Sequence, residues 1–174
     1  MSSFGLIPKV ESHFKNTQTV TWININGLHN VELIGDIGKA FELHPLVLED
    51  ILNTGQRPKV EDFDSYIFIV LKMIRFDKET EMIRNDQFSI ILGENFLLTF
   101  QEKIGDVFEP VRERIRKQKS RIRGSGVDYL AYALMDTVVD NYIYNIELLG
   151  EKIEDLEEDI LLKGVETIQF VCGL

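Results

Sequence analysis

A layered α/β/α domain with a mixed, largely antiparallel sheet, followed by a long C-terminal helix, is the fold class this sequence predicts. Three features predict it. The β-branched and aromatic runs Tyr66 to Phe76, Asp86 to Leu92 and Phe96 to Phe100 read as three successive antiparallel strands. Their near-continuous apolar character requires burial on both faces, and so helices above and below the sheet. From Val127 to Leu162 there is no proline and only Gly150 as an interruption, which gives one helix about 50 Å long.

In chain order, TVTWININ from Thr19 to Asn26 is a strand closed by Gly27, and Asn30 is the N-cap of a helix carrying Val31, Ile34, Ile37, Phe41 and Leu43. Gly35 and Gly38 each weaken that helix by about 1 kcal/mol relative to alanine. Pro45 opens a second short helix whose buried side is Leu46, Leu48, Ile51 and Leu52, and Thr54-Gly55 stops it. The polar FDKETEMIRN joins the first two of the three antiparallel strands as a hairpin. Asp106 with Glu109 is a capping-box pattern for a helix that tolerates Pro110 and runs to about Gln118, before RIRGSG forms a polar loop. In the long helix, Tyr142, Ile146, Leu149, Ile153, Leu156 and Ile160 form a heptad seam. So small a domain cannot cover it, so a partner helix is implied, from the same chain beyond residue 174 or from a neighbouring subunit. The organisation expected is an α/β domain at 1–125, a long acidic helix packing on it at 126–163, and an atypical tail at 164–174.

The chain has 174 residues, 44% hydrophobic and 28% charged, which excludes disordered and low-complexity classes. Its apolar runs, such as Tyr66 to Leu71, are far short of the roughly 20 residues that cross a bilayer, and the N-terminus lacks a signal-peptide layout. A soluble chain is expected. The single cysteine, Cys172, excludes an internal disulfide and a cysteine-built zinc cage. A formal net charge of -10 favours cations over phosphate-rich partners. The charge is also polarised. Arg112, Arg114, Arg116, Lys117, Lys119, Arg121 and Arg123 form a basic run, which without aromatic interleaving reads as a solvated helix paired with nearby acids rather than a nucleic-acid site. Glu151, Glu154, Asp155, Glu157, Glu158 and Asp159 form an acidic one, either a cation-attracting surface or the solvent side of the helix.

Oxygen donors without a His or Cys cluster suit a hard, hydrated cation such as Mg²⁺. Glu49 and Asp50 are adjacent on the short second helix, so they cannot both enter its buried side. Asp136 and Asp140 lie one turn apart on one face of the long helix. Taken alone, any of these acids is equally a solvated helix face. His44 precedes proline and reads as a capping or turn residue; His13 and His29 carry no signal. Glu61, Asp62 and Asp64 cluster in sequence, but with no accompanying His, nucleophile–base pair or phosphate loop the chain does not read as an enzyme, and no catalytic residue is assigned.

WININGLH from Trp22, HPLVLEDILNTGQRPKVEDFDSYIFIVLKM from His44 to Met73, FQEKIGDVFEPVRERIR from Phe100 to Arg116 and DYLAYALMDTVVDNY from Asp128 to Tyr142 resemble the cytoplasmic domain of the CorA family of magnesium transporters. The resemblance runs from about Trp22 to Lys163. It implies a Mg²⁺-sensing regulatory domain of a magnesium and cobalt transport protein, with Co²⁺ or Ni²⁺ able to substitute. It further implies that Asp50, Glu49 and Asp136 bind regulatory divalent cations between subunits, Asp50 facing a stalk-helix carboxylate that this chain lacks. The family assembles as pentamers in the cell (inner) membrane, and this domain is then cytoplasmic, attached to the membrane only through a C-terminal part. A zinc-transporting relative on the same scaffold is the alternative. Two departures stand out. Family members have more strand-forming sequence before WINI, and they continue into a stalk helix, two membrane spans and a Gly-Met-Asn motif. GVETIQFVCGL does not continue the charged stalk pattern, so a truncated chain, a monomer or weak non-native dimer, is expected.

Overall fold

Alternation along the central strands sets the architecture. In the computed structural model, which describes residues 19–77, 82–117 and 120–171, with the side chains of Arg75, Asp77 and residues 163–171 outside that description, five strands form one sheet in the order β1-β5-β4-β3-β2. They are β1 Thr21–Asn26, β2 Lys59–Phe63, β3 Tyr66–Asp77, β4 Met82–Gly93 and β5 Phe96–Gln101. β1 pairs with β5 in parallel and the other pairings are antiparallel. Successive side chains of a strand point to opposite faces. Ile69, Met73, Phe88, Ile90 and Leu97 therefore feed one core, while Phe68, Val70, Ile91, Leu98 and Phe100 feed the other.

Helices α1 (Val31–Ala40) and α2 (Pro45–Leu52) cover the second core through Ile34, Ile37, Val47 and Ile51. Helices α3 (Glu109–Arg116) and α4 (Val127–Val171) cover the first through Val111, Leu130, Leu134 and Val138. The layered α/β/α class is the one the sequence predicts. The caps also agree: Asn30 Oδ1 accepts from Leu33 N at 3.0 Å and His44 Nδ1 from Leu46 N at 3.2 Å. Gly27 closes β1 at φ 87°. Gly38 has a packing role as well as a helix cost, since a Cβ there would meet the Leu48 side chain at 2.5 Å.

Several expectations are corrected. The polar stretch KVEDF, assigned to no element from the sequence, is an edge strand, β2, whose alternate residues are half-buried. β3 and β4 extend further than expected, pairing from Tyr66↔Gly93 to Asp77↔Met82; the turn at 78–81 lies outside the described residues, as do His13, Lys119 and Cys172. RIRGSG contains a 3-10 turn at Arg121–Arg123. The long helix does not stop at Leu162 but continues through Val171 into the segment expected to be an atypical tail.

Asp106 does not cap α3, whose N-cap is Phe108 without a side-chain bond. It is instead a buried hub. Its carboxylate accepts from both guanidinium nitrogens of Arg112, from Gln101 Nε2 at 3.0 Å, from Asn24 Nδ2 at 3.1 Å and from Phe108 N at 3.0 Å. Burial pushes this carboxyl up, but the bonds from Arg112, Gln101 and the Phe108 N–H outweigh it and hold it well below the usual carboxylate range.

β2 pairs with β3 only from Tyr66 to Val70, which leaves the outer edge of β3 without a neighbouring strand. Side chains of α4 take that place. Asn141 Nδ2 donates to Ile74 O at 2.6 Å, Tyr142 donates its hydroxyl to Lys72 O, and Asn145 donates to Ile74 O at 3.2 Å while accepting from Phe76 N at 2.8 Å.

Asn145 is 5% exposed, so Asn145→Ala leaves a β3 N–H unpaired, and chemical denaturation should show a loss of about 2 kcal/mol. Asp106→Ala leaves Arg112 only the exposed Glu109 as a partner and removes the acceptor for Gln101, Asn24 and Phe108 N, and should cost roughly 2–3 kcal/mol. Because the folded carboxyl lies below the ordinary value of 3.8, its contribution is complete above that pH and fades as pH falls through the depressed folded value. Acid unfolding of Asp106→Asn should accordingly be flatter below about pH 4 than that of the wild type.

Candidate metal centre

Val47 and Ile51, one turn apart, pin α2 to the sheet, so at 100° per residue Asp50 flanks the buried stripe and Glu49 points away from it. Glu49 is exposed and Asp50 half-buried. The end of α2 is held from below: Gln87 Nε2 of β4 donates to the carbonyls of Asp50 at 3.0 Å and Ile51 at 3.1 Å, and Gln56 Nε2 also donates to Asp50 O. These bonds satisfy helix-terminal carbonyls. The Asp50 carboxylate meets Lys59 of β2, with Nζ 2.6 Å from Oδ2, and Lys59 also reaches Glu61 Oε1 at 2.9 Å. The hydrogen bond to Asp50, then the one to Glu61, raises the Lys59 ammonium above its usual value against the opposing effect of burial.

Asp136 is exposed on α4. Since α2 and α4 cover opposite faces of the sheet, the structure does not bring Asp136 to Glu49 and Asp50 within one chain. At 100° per residue, Asp136, Asp140, Glu147, Glu151, Glu154 and Glu158 instead share one stripe of α4, with Asp155 and Asp159 beside it and Glu157 on the other flank. All eight are exposed, as is Glu157. The apolar seam runs along a different face and extends the predicted one by two heptads: Tyr132, Val139, Ile146, Ile153 and Ile160 are each more than half exposed.

The donors available are carboxylate oxygens, open to solvent at Glu49 and Asp136 and partly open at Asp50. They fit a hard cation that retains water and takes one or two carboxylates from each protein surface. Among the described residues no three His, Cys, Asp or Glu side chains are grouped to hold a metal ion within this chain. β2 separates Glu61, which faces Lys59, from the exposed Asp62. A cavity of about 280 Å³ beside α1 is lined mainly by apolar side chains with Asn24, Asn26, Asn30 and a single histidine, His29, so it offers no acid–base pair.

The basic run is not uniformly solvated. Arg112 is half-buried against Asp106 and lies 5.6 Å from the Trp22 ring. Arg116 pairs with Glu109, whose carboxyl that bond lowers first, and Arg114 reaches the Tyr129 hydroxyl at 3.3 Å. Arg121 stacks over Tyr129 and Arg123 donates to Ile115 O at 3.2 Å. Sequence reasoning missed Lys59, Gln87 and Glu147. The period of the long helix signalled Glu147; nothing local signalled the other two, whose partners are 9 and 37 positions away.

The fold and the site together define a layered α/β/α domain joined to a long helix with an exposed apolar seam. The chain belongs to the CorA family: the family model described as CorA-like Mg²⁺ transporter protein matches residues 17–170. It is 50% identical over 157 residues to the cobalt/magnesium transport protein CorA of Thermotoga maritima, covering 90% of this chain and 45% of that protein. It is 35% identical over 123 residues to the magnesium transporter ALR1 of Saccharomyces cerevisiae, covering 68% of this chain and 14% of that one. This chain thus spans less than half the length of these relatives. The soluble domain of CorA from Methanocaldococcus jannaschii has the same fold, with a TM-score of 0.67 at 21% identity over 80% of this chain and 55% of that one. The ZntB cytoplasmic domain from Vibrio parahaemolyticus is more distant, at 0.54 and 14% over 77% and 52%. Among the described residues no helix is long and apolar enough to cross a membrane.

Arg114 and Arg116 make only exposed contacts, so replacing both by glutamine should shift stability by less than about 0.5 kcal/mol. Denaturant midpoints of the variant and wild type check this.

Proposed function

We propose that this chain is the cytoplasmic, Mg²⁺-sensing regulatory part of a magnesium and cobalt transport protein, acting on a pore that lies in a further part of the polypeptide. Its 50% identity to a cobalt/magnesium transport protein supports the class. The observation that carries the regulatory reading is the separation of Glu49 and Asp50 from Asp136 by the whole sheet. Acids so divided serve one cation only when a second subunit supplies the other half. Carboxylates that face each other across a subunit boundary repel when bare and cease to repel when a divalent cation lies between them. Glu49 and Asp50 of one subunit, placed against acids of the next, therefore stabilise a closed pentameric ring at high internal Mg²⁺ and loosen it when Mg²⁺ falls. Several weak sites acting together suit this role, because a ligand shifts the equilibrium only by its differential affinity for the closed state. Co²⁺ or Ni²⁺ takes the same oxygen donors.

The acidic stripe of α4 from Asp136 to Glu158 raises the local cation concentration, and the apolar seam beside it is the packing surface for another helix of the assembly. A zinc-transporting relative shares the fold, but a softer metal would draw on His or Cys, and the sequence has three His and one Cys.

The test is transport by the full-length protein at controlled internal Mg²⁺. Asp50→Asn keeps shape and removes charge, so inhibition by internal Mg²⁺ should be blunted, with the half-inhibiting concentration raised several-fold. An unchanged Mg²⁺ response would remove Asp50 from the regulatory set. Asn is the informative substitution here, since Asp50→Lys would set a second ammonium against Lys59 and confound ion mimicry with local repulsion.

A further inference from the structure

Asp50 already holds a cation. The Lys59 ammonium sits between two carboxylates, 2.6 Å from Asp50 Oδ2 and 2.9 Å from Glu61 Oε1. It is held there from both sides. Lys59 opens β2 in register with Val70, and its Nζ lies 5.5 Å from the centroid of the Phe68 ring, a buried residue of the second core. Asp50 cannot drift away, because Gln87 and Gln56 fix its carbonyl at the end of α2. The side chains of Lys59 and Asp50 are 29% and 26% exposed, so the pair is reachable by a hydrated ion without being fully solvated.

We propose that Lys59 is a tethered resident cation which a divalent ion must displace from Asp50 and Glu61, and that it thereby sets the affinity of the site. The inference rests on the reading of Asp50 as a divalent-cation ligand. With Lys59 in place the group Asp50–Lys59–Glu61 carries one net negative charge; without it, two. The ammonium also fills the hydrogen-bonding position that water on an incoming ion would occupy. A unit charge about 6 Å from a divalent ion in a largely aqueous setting lowers affinity roughly tenfold. Such a device keeps Asp50 neutralised when the ion leaves and keeps the site from saturating at low cation concentration. The ion is chosen by charge density: a divalent cation competes with a tethered ammonium where a monovalent one does not.

The experiment measures Mn²⁺ binding to the full-length assembled protein, in which a neighbouring subunit supplies the other half of the site, from the electron paramagnetic resonance signal of the free ion, with Mg²⁺ as competitor. Mn²⁺ prefers the same oxygen donors. Lys59→Gln and Lys59→Met are both made, and circular dichroism confirms that each is folded. Both should bind Mn²⁺ roughly tenfold more tightly than wild type, Mg²⁺ should displace it correspondingly better, and Lys59→Arg, which keeps the charge, should stay within about twofold of wild type. The gain should vanish in Lys59→Gln/Asp50→Asn and fall in Lys59→Gln/Glu61→Gln. Equal affinity in wild type and both uncharged variants, with Asp50→Asn still weakening binding, overturns the role of Lys59 and leaves Asp50 a ligand. A gain that persists in Lys59→Gln/Asp50→Asn overturns it as well. Mn²⁺ binding by the wild type that Asp50→Asn does not change removes the Asp50 reading itself.

Discussion

An edge strand that is too short shapes the rest of this molecule. β2 pairs with only the first five residues of β3, and a strand edge with unpaired N–H and C=O groups is both unstable and prone to pairing with another chain. Here α4 lies along the exposed half, and Asn141, Tyr142 and Asn145 take over the bonds a sixth strand would have made. Those bonds fix the helix in direction as well as position. Its N-terminal half is anchored on the core by Leu130, Leu134 and Val138, its middle by the strand edge and by Lys152 over the Phe76 ring, and the seam residues Ile153, Leu156 and Ile160 are exposed. The long helix is thus oriented by hydrogen bonds to the sheet edge.

The second consequence follows from burying the sheet on both faces. Once α1 and α2 occupy one face and α3 and α4 the other, acids on α2 and α4 are separated by the thickness of the sheet and its two cores. The chain must then neutralise Asp50 locally or through a neighbour. Lys59 does the first. On the function proposed above, a divalent cation at a subunit boundary does the second, and the two compete for one carboxylate. Asp106 shows the contrasting solution: with its side chain only 5% exposed and paired to Arg112, it is committed to structure.

Much of this fold was legible because its signals are local. The strands β3 to β5 announce themselves by β-branched runs, α1 and α2 by Asn30 and His44 at their caps and by Pro45, and the long helix by its period. What escaped notice depends on distance. KVEDF has the composition of a loop and becomes a strand because Ile67, Phe68 and Ile69 offer it a ladder. Asp106 carries a capping-box signature, but Arg112, Gln101 and Asn24 converge on it only after β1, β5 and α3 have packed, and that stronger set of bonds wins. The same convergence took Arg112 out of the solvated run to which its neighbours belong. At the candidate site, Glu49, Asp50 and Asp136 were named through their resemblance to a family motif; Lys59 was not, because its role exists only once β2 lies beside α2.

The two surfaces of α4 do not compete with each other. The seam through Tyr132, Val139, Ile146, Ile153 and Ile160 drifts slowly round the helix, since seven residues fall about 20° short of two full turns. The acidic stripe from Asp136 to Glu158 drifts with it, so the two remain side by side along the helix. A helix packed on the seam buries apolar surface without desolvating the carboxylates, which would be costly. The same helix can therefore be held firmly in an assembly and still present a row of negative charge to the solvent. On the function proposed above, that row would repel its counterparts on adjoining subunits unless cations gathered there, so the arrangement that stabilises assembly would be the one that makes it sensitive to divalent ions.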